Sequence, residues 1–364
     1  MKSNLWSKIK WFVGVWYDLR KNLAWKAVYG TRLLLASAAF APISLFVSVF
    51  LPPEFQIERI NIQSSYIDTS VLVINALLFI IGFLLIFIEV LEESRSAKRS
   101  ARVVINGLPD TPLKFPNEVL SKSEKRFARE PVELSFCDKA VLKQITRYNA
   151  EVCVELFKRF VLHDHCEKIY IGGLARIPFL VAYGKFLRNV SNIHYFDKIN
   201  TTSNWRLLDD EDLGLGMRIP EHRPNANSNG DIGIALGFST SICEAHLPAS
   251  LKDSVLFVRP TTSPKRNLLL NQDNLHRLSD NLLSIIDELS GKHTVKKIHL
   301  FLSVQSSFAI EIGRKFQEGV HKPWVIHNFN ATLGQYEWAL ELTESGVKKH
   351  EAPNTKGIGT QEKT

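Results

Sequence analysis

Residues Leu33–Leu51 run for nineteen positions without a charged side chain, and Val71–Ile88 for eighteen. At about 1.5 Å rise per residue, each run reaches roughly the 30 Å of a bilayer's hydrocarbon core. A helix apolar on every side for this length suits lipid better than the surface of a soluble core. The sequence therefore predicts a transmembrane α-helical hairpin over residues 33–91, with a short outward loop. The first run starts some thirty residues in and a second follows, which argues against a cleaved signal peptide.

The flanks give the orientation. Lys2, Lys8, Lys10, Arg20, Lys21, Lys26 and Arg32 precede the first run, and Arg95, Lys98, Arg99 and Arg102 follow the second. The connector holds Glu54, Glu58, Asp68 and only Arg59. Lys and Arg gather on the cytoplasmic side, so both termini are expected there. The net charge of +8 finds a home at this interface and needs no nucleic acid to explain it. Within residues 1–32, Leu5, Ile9, Phe12, Trp16, Leu19 and Leu23 step by four and three. That stripe reads as a basic amphipathic segment lying at the interface, with a cytoplasmic bundle helix as the alternative. Ser37, Ala41, Ser44 and Ser48 put small residues on one face of the first run. That face can pack between subunits or against the second run. Pro42 lies mid-run as a kink site.

Residues 92–135 read as a juxtamembrane helix end and a proline-broken linker, and residues 346–364 as a loose tail. Four cysteines (Cys137, Cys153, Cys166, Cys243) are widely spaced with no CxxC pair, as expected of reduced thiols in a cytosolic domain.

Between linker and tail, residues 136–345, the chain repeats itself. KIYIGGLARIPFLVAYGKFL (168–187) is echoed 129 positions later by KIHLFLSVQSSFAIEIGRKF (297–316), with four of the twenty positions identical and a largely matching pattern of apolar and polar positions. Each copy reads as helix, strand, loop, helix, strand. The pseudo-repeats are expected at about 136–228 and 265–345. Between them DIGIALGF and SVLFVRP read as strands with TSICEAHL as a helix. Strands alternating with helices predict α/β architecture with parallel sheets, here as two Rossmann-like lobes. Ligands of such sheets bind beyond the strands' carboxyl ends, beside helix N-termini.

No catalytic pattern is present: no GxxxxGK[ST], GxGxxG, GxSxG or HExxH. His163, His165 and Cys166 cluster in HDHC without a second metal-binding pair, and read as a polar helix end. Asp209–Asp212 reads as a solvated acidic loop. The expectation is a protein that is not an enzyme and has no metal or cofactor.

HLF at His299–Phe301, the loop Ser303–Ser307, Phe308-Ala309, Gly313-Arg314 and the segment Tyr336–Leu342 together resemble the C-terminal half of a SAVED domain. DIGIALGFSTSIC is similar to that family's middle strand and helix. Where many relatives carry a proline after HLF, Ser306 and Ser307 stand here. The resemblance covers about residues 136–345. It implies two fused CARF-like lobes and recognition of a cyclic di- or trinucleotide, the second messenger of CBASS antiphage immunity. With two membrane runs attached, it implies a bacterial inner-membrane effector that forms ligand-promoted homo-oligomers, acts on the lipid bilayer and depends on a cyclic-nucleotide synthase. A membrane-anchored sensor relaying to a separate enzyme is the alternative.

Phosphates need N–H donors, hydroxyls and cations, and bases need flat faces. The expected ligand residues are those at strand ends: Gly172, Gly173 and Arg176 after the first-copy strand; Ser303, Gln305, Ser306 and Ser307 after its repeat; Ser239 and Thr240 after IALGF; Arg259 and Thr261 after SVLFV; and Asn328 after WVIH. Trp205 and Tyr336, in the matching segments NWRLL and QYEWAL, are candidate stacking rings. Gly173 also reads as a turn residue, Ser306 as a helix cap, and either aromatic as core.

Overall fold

The computed structural model describes residues 25–39, 69–98, 100–108, 114–117, 120, 125, 131–135, 140–152, 168–188, 190, 192–199, 204–212, 214–343 and 346–350. They fall into two compact units, Met1–Ser96 and Ala97–Thr364.

In the first unit, α1 (Trp25–Ala39) and α2 (Thr69–Lys98) cross at two glycines. A Cβ on Gly30 would lie 2.7 Å from the Gly82 carbonyl oxygen, and one on Gly82 2.8 Å from that of Gly30. Only Gly lets the two backbones approach this closely. Lys26 and Glu92 form an ion pair, and Ser37 is buried, its Oγ donating to the Leu34 carbonyl at 2.7 Å. Of the described helices, one is long and apolar enough to cross a membrane, over Val73–Glu92 with mean hydropathy 2.7. The first apolar run is described only from Leu33 to Ala39. The rest of it, with Ala41, Pro42, Ser44 and Ser48, lies outside the described residues, as do residues 1–24 and the connector.

The second unit is built from two sheets. The first has the order β2-β1-β3-β4-β5: β1 (Ser100–Asn106), β2 (Val132–Ser135), β3 (Lys168–Leu174), β4 (Ile193–Lys198) and β5 (Trp205–Leu207). The second has the order β12-β11-β10-β9-β7-β8-β6: β6 (Met217–Arg218), β7 (Asp231–Gly237), β8 (Val255–Pro260), β9 (Lys297–Ser303), β10 (Trp324–Asn330), β11 (Gln335–Thr343) and β12 (Gly346–His350). The helices are α3 (Val141–Arg147, continued by a π-turn over Tyr148–Val152), α4 (Ile177–Phe186), α5 (Gln272–Ser290) and α6 (Ser306–Arg314).

The repeat is real and larger than the sequence suggests. β3 and β9 begin 129 residues apart, as do α4 and α6. In the first lobe β2/β1, β1/β3 and β3/β4 are parallel and β4/β5 antiparallel. In the second, β8/β7, β7/β9 and β9/β10 are parallel and β10/β11 antiparallel. The five strands β2-β1-β3-β4-β5 thus correspond one for one to β8-β7-β9-β10-β11. Residues 92–135 are therefore more than a helix end and linker: they supply the first lobe's β1 and β2. DIGIALGF and SVLFVRP are the matching pair of the second lobe rather than an insert between repeats.

Two further expectations change. TSICEAHL forms a single 3₁₀ turn at Glu244–His246, followed by another at Ala249–Ser254. Gly346–His350, expected in the tail, is an edge strand. Val347 is buried, and the Asn149 side chain bonds its backbone in both directions, at 2.8 and 3.0 Å. Residues 351–364 lie outside the described residues.

The lobes meet along α4 and α6. A Cβ on Gly184 would lie 1.9 Å from the Ile310 carbonyl oxygen, and one on Gly313 1.9 Å from that of Val181. Beside this seam Glu311 of α6 is fully buried, accepting from Tyr195 Oη of the first lobe at 2.5 Å and pairing with Arg314 at 2.7 Å and His276 at 3.0 Å. Arg314 reaches on to the carbonyls of Leu187 and Val190 beyond α4, at 3.2 and 2.7 Å.

Candidate functional site

The carboxyl ends of β3 and β9 lead into α4 and α6, and the two loops are built differently. In the first lobe Gly172 lies against Phe196, whose carbonyl oxygen would be 2.2 Å from an added Cβ. Gly173 has φ +154° and lies against the Ile105 backbone at 2.1 Å by the same test. Both glycines serve close strand approach. Arg176 follows as the N-cap of α4, its guanidinium 5.6 Å from the centre of the Trp338 ring on β11. In the second lobe the Ser303 carbonyl accepts from the Phe238 and Ser239 amides at 2.9 and 2.8 Å. Ser303 Oγ accepts from the Thr240 amide at 3.1 Å and bonds Thr240 Oγ1 at 2.7 Å.

Ile177 at the start of α4 closes a cavity of about 200 Å³ against the second lobe, with Thr240, His246, Ser303, Phe329 and Tyr336 on its walls. A larger cavity of about 660 Å³ shares Tyr336 and is lined also by Val141, His327, Trp338, Lys349 and His350. Tyr336 is the common wall. It packs edge-on to Phe301 and Phe329, with ring centres 5.0 and 5.2 Å away. Burial raises its phenol pKa, which keeps it a neutral donor.

Burial disfavours the charged form of both histidines that line the larger cavity, His327 and His350. Burial depresses His327 well below its usual range, and His299 and His350 depress it further. His327 Nε2 and His299 Nδ1 share a 2.8 Å hydrogen bond. His350 is lowered first by burial and then by His299 and Lys297. His246 in the smaller cavity accepts from the Cys243 amide on Nδ1 at 3.3 Å, which leaves Nε2–H as a donor. The combined site offers hydroxyls, a neutral imidazole N–H, one stacked guanidinium and aromatic walls. These groups suit phosphodiester oxygens and planar bases.

Of the expected ligand residues, Thr240, Ser303 and Tyr336 line these cavities, Arg176 stacks on a lining residue, and Ser239 adjoins Thr240. The others are placed elsewhere. Ser307 is fully buried; its amide donates to Asp197 Oδ1 at 3.2 Å and its hydroxyl to Asp197 Oδ2. Gln305 Nε2 donates to Asp197 Oδ2 at 2.8 Å and to the Leu269 carbonyl at 2.6 Å. The start of α6 thus already holds a carboxylate, from β4 of the other lobe, so Ser307 and Gln305 join the lobes at this point. Ser306 is half-buried as the first residue of α6. Trp205 packs edge-on to Phe196 at 5.4 Å, in a first-lobe cluster with Phe115 and Leu120. Thr261 is tied to Gly216 through both its amide, at 2.9 Å, and its Oγ1, at 3.2 Å. Arg259 lies on β8 beside Arg218, and Asn328 is half-buried on β10. None of these five lines either cavity.

Sequence reasoning missed Ile177, His246, Phe329 and Trp338; the available signals were that Ile177 lies just beyond β3, Phe329 near the end of β10 and Trp338 on the strand after it. His163, His165 and Cys166 lie outside the described residues. Among the described residues no group of three His, Cys, Asp or Glu is placed to hold a metal. In the acidic run, Asp210 pairs with Arg206, and Asp212 accepts from the Gly214 amide at 2.7 Å.

A model of the SAVED family, the SMODS-associated and fused to various effectors sensor domain, matches residues 155–342. No curated protein matches. Among solved structures, the Acinetobacter baumannii Cap4 SAVED/CARF-domain containing receptor with the cyclic trinucleotide 2′3′3′-cAAA is similar. It is 14% identical, with a TM-score of 0.47, over 75% of this chain and 61% of that one. The same receptor without a named ligand gives 16%, 0.45, 77% and 62%. The Moraxella osloensis Cap4 receptor gives 14%, 0.40, 76% and 59%. The chain spans about three fifths of the length of these structures.

Proposed function

Since this chain belongs to the SAVED family of sensor domains, we propose that it is the membrane effector of a CBASS antiphage system. In this reading the second unit binds a cyclic di- or trinucleotide made by a dedicated synthase. Binding promotes homo-oligomerisation, and the assembled membrane helices disrupt the inner membrane, causing growth arrest or cell death. The protein performs no catalysis of its own. Both termini are cytoplasmic, which puts the sensor on the side where its signal is made.

One observation carries the sensing part. Two lobes with the same strand order bring the start of α4 against the ends of β7 and β9, so that Ile177, Thr240 and Ser303 enclose one cavity. A ring of repeated phosphate and base units suits a pocket built from repeated lobes. The membrane part is supported by Val73–Glu92 in α2 and by the basic flanks of the apolar runs. Chain connectivity supports the link between them: α2 ends at Lys98 and β1 begins at Ser100, so one residue separates an apolar helix from an interior strand of the first lobe. A second reading, an anchored sensor that relays to a separate enzyme, is favoured by the tight Gly30–Gly82 crossing, which suits a passive anchor.

Coexpression with a cyclic-oligonucleotide synthase, followed with a potential-sensitive dye, separates the two. The effector reading expects depolarisation and arrest from these two proteins alone. Intact membrane potential with the ligand bound would leave only the relay. Reporter fusions test topology: a periplasmic reporter at Gln63 should be active, and one after Ser121 silent.

A further inference from the structure

The edge of the second lobe carries a charge arrangement that the fold itself does not require. Arg218 on β6 and Arg259 on β8 are direct partners in a two-residue antiparallel ladder, so their side chains leave the same face of the sheet about 5 Å apart. Like charges opposed in this way repel, and both residues are exposed. Arg218 spends one guanidinium nitrogen on the Thr261 carbonyl at 2.9 Å. Arg259 has no hydrogen-bond or ion-pair partner among the described residues.

The two arginines line one cleft of about 390 Å³ together with Phe257, Ile219 and Pro220. A second cleft of about 410 Å³ shares Phe257 and Arg259 and adds Cys243, Glu244 and Ala245. Phe257 is half-buried, packed against the cluster that contains Ala235, Val255 and Phe301. Neither cleft shares a lining residue with the two cavities at Tyr336.

We infer that the Arg218–Arg259–Phe257 cleft is a separate binding site for a nucleotide, its phosphate bridged by the two guanidinium groups and its base against Phe257. Guanidinium forks match phosphate oxygens in pairs, and a phosphate between them turns a repulsion into two attractions. An aromatic face in the same cleft gives a base something to stack on. A bare phosphate or a lipid headgroup would use the arginines and leave that face idle. The volume lies at the lower end of small-molecule sites, roughly 300–1,000 Å³, in keeping with one mononucleotide. This site does not depend on the cyclic-ligand reading of the Tyr336 cavities.

The test is equilibrium dialysis of the purified full chain in detergent with AMP, ribose 5-phosphate and inorganic phosphate as separate probes. Saturable AMP binding that weakens as salt rises is expected, with ribose 5-phosphate weaker by about fivefold or more for loss of the stacked base. Arg218→Gln/Arg259→Gln should weaken AMP by about tenfold or more while leaving the thermal transition and any cyclic-ligand binding unchanged. Arg259→Lys, which keeps the charge and removes the fork, should fall between, and serves if the double variant does not fold. Absence of AMP binding, or AMP binding indifferent to these substitutions, overturns the proposal. Equal affinity for AMP and ribose 5-phosphate, or equal competition by phosphatidylglycerol vesicles, overturns the assignment to a nucleotide in favour of a general phosphate or headgroup site.

Discussion

Gly184 and Gly313 stand 129 residues apart, and each packs against the backbone of the other's helix, at Ile310 and Val181 respectively. Val181 and Ile310 are also 129 residues apart. The contact is therefore its own mate under the pseudo-two-fold axis that relates the lobes. Backbone carbonyls cannot swing aside as a side chain can. Gly184→Ala or Gly313→Ala is expected to push α4 and α6 apart and cost at least about 1–3 kcal/mol. Denaturant unfolding of the purified chain, read as a lower midpoint, checks this.

Two buried carboxylates at the same seam give opposite pH dependence. Burial pushes Asp197 up to about 6, with its bonds from Ser307 and Gln305 holding it back. The folded chain then holds more protons than the unfolded one between the ordinary value of 3.8 and about 6. This contribution to stability is full below about pH 4 and is lost as pH rises through 6, by roughly 3 kcal/mol. Asp197→Asn should abolish that decline. Burial also acts to raise Glu311, but His276, Arg314 and Tyr195 bring it down to about 2. Its contribution is present above the ordinary value of 4.5 and is lost as pH falls through about 2. Glu311→Gln should flatten this acid limb. Denaturation midpoints measured between about pH 3 and pH 8 separate the two slopes.

The single residue between α2 and β1 makes a strong mechanical prediction. A flexible Gly-Ser insert after Lys98 should leave ligand affinity unchanged and abolish depolarisation in cells. Depolarisation as strong as wild type would mean that the signal reaches the membrane by another route.

Within the first unit, Leu at Gly30 or Gly82 would have to fit where a Cβ already meets backbone at 2.7–2.8 Å. Either substitution should separate α1 from α2. The expected readouts are a lower thermal transition of the full chain in detergent and a smaller membrane-inserted fraction in cells.

How much of this was legible in the sequence follows from how local each signal is. β3, β9, α4 and α6 carry dense apolar patterns, and the shared glycines mark the helix contact, so the repeat could be read. β1 could not: SARVVIN follows a basic run that has its own explanation as a cytoplasmic flank, and proline-rich chain separates it from β2. β12 is mostly polar, and its anchor is Asn149, nearly two hundred positions upstream. Of the residues the strand-end rule named, Thr240 and Ser303 line the smaller cavity and Arg176 stacks on Trp338. Gln305 and Ser307 turn instead to Asp197, 110 positions before Ser307, and nothing local says that a helix terminus is already occupied. Trp338 and His246 reach the cavities through packing alone.

The account rests on ligand binding at the Tyr336 cavities. Its most direct test is calorimetry of the full chain against a panel of cyclic di- and trinucleotides. The account predicts that at least one member binds. It also predicts that Arg176→Ala or Ser303→Ala weakens that binding by about 1–3 kcal/mol, and that Arg218→Gln leaves it unchanged. A folded protein that gives no heat with any member would contradict the account, as would binding that ignores both Arg176 and Ser303.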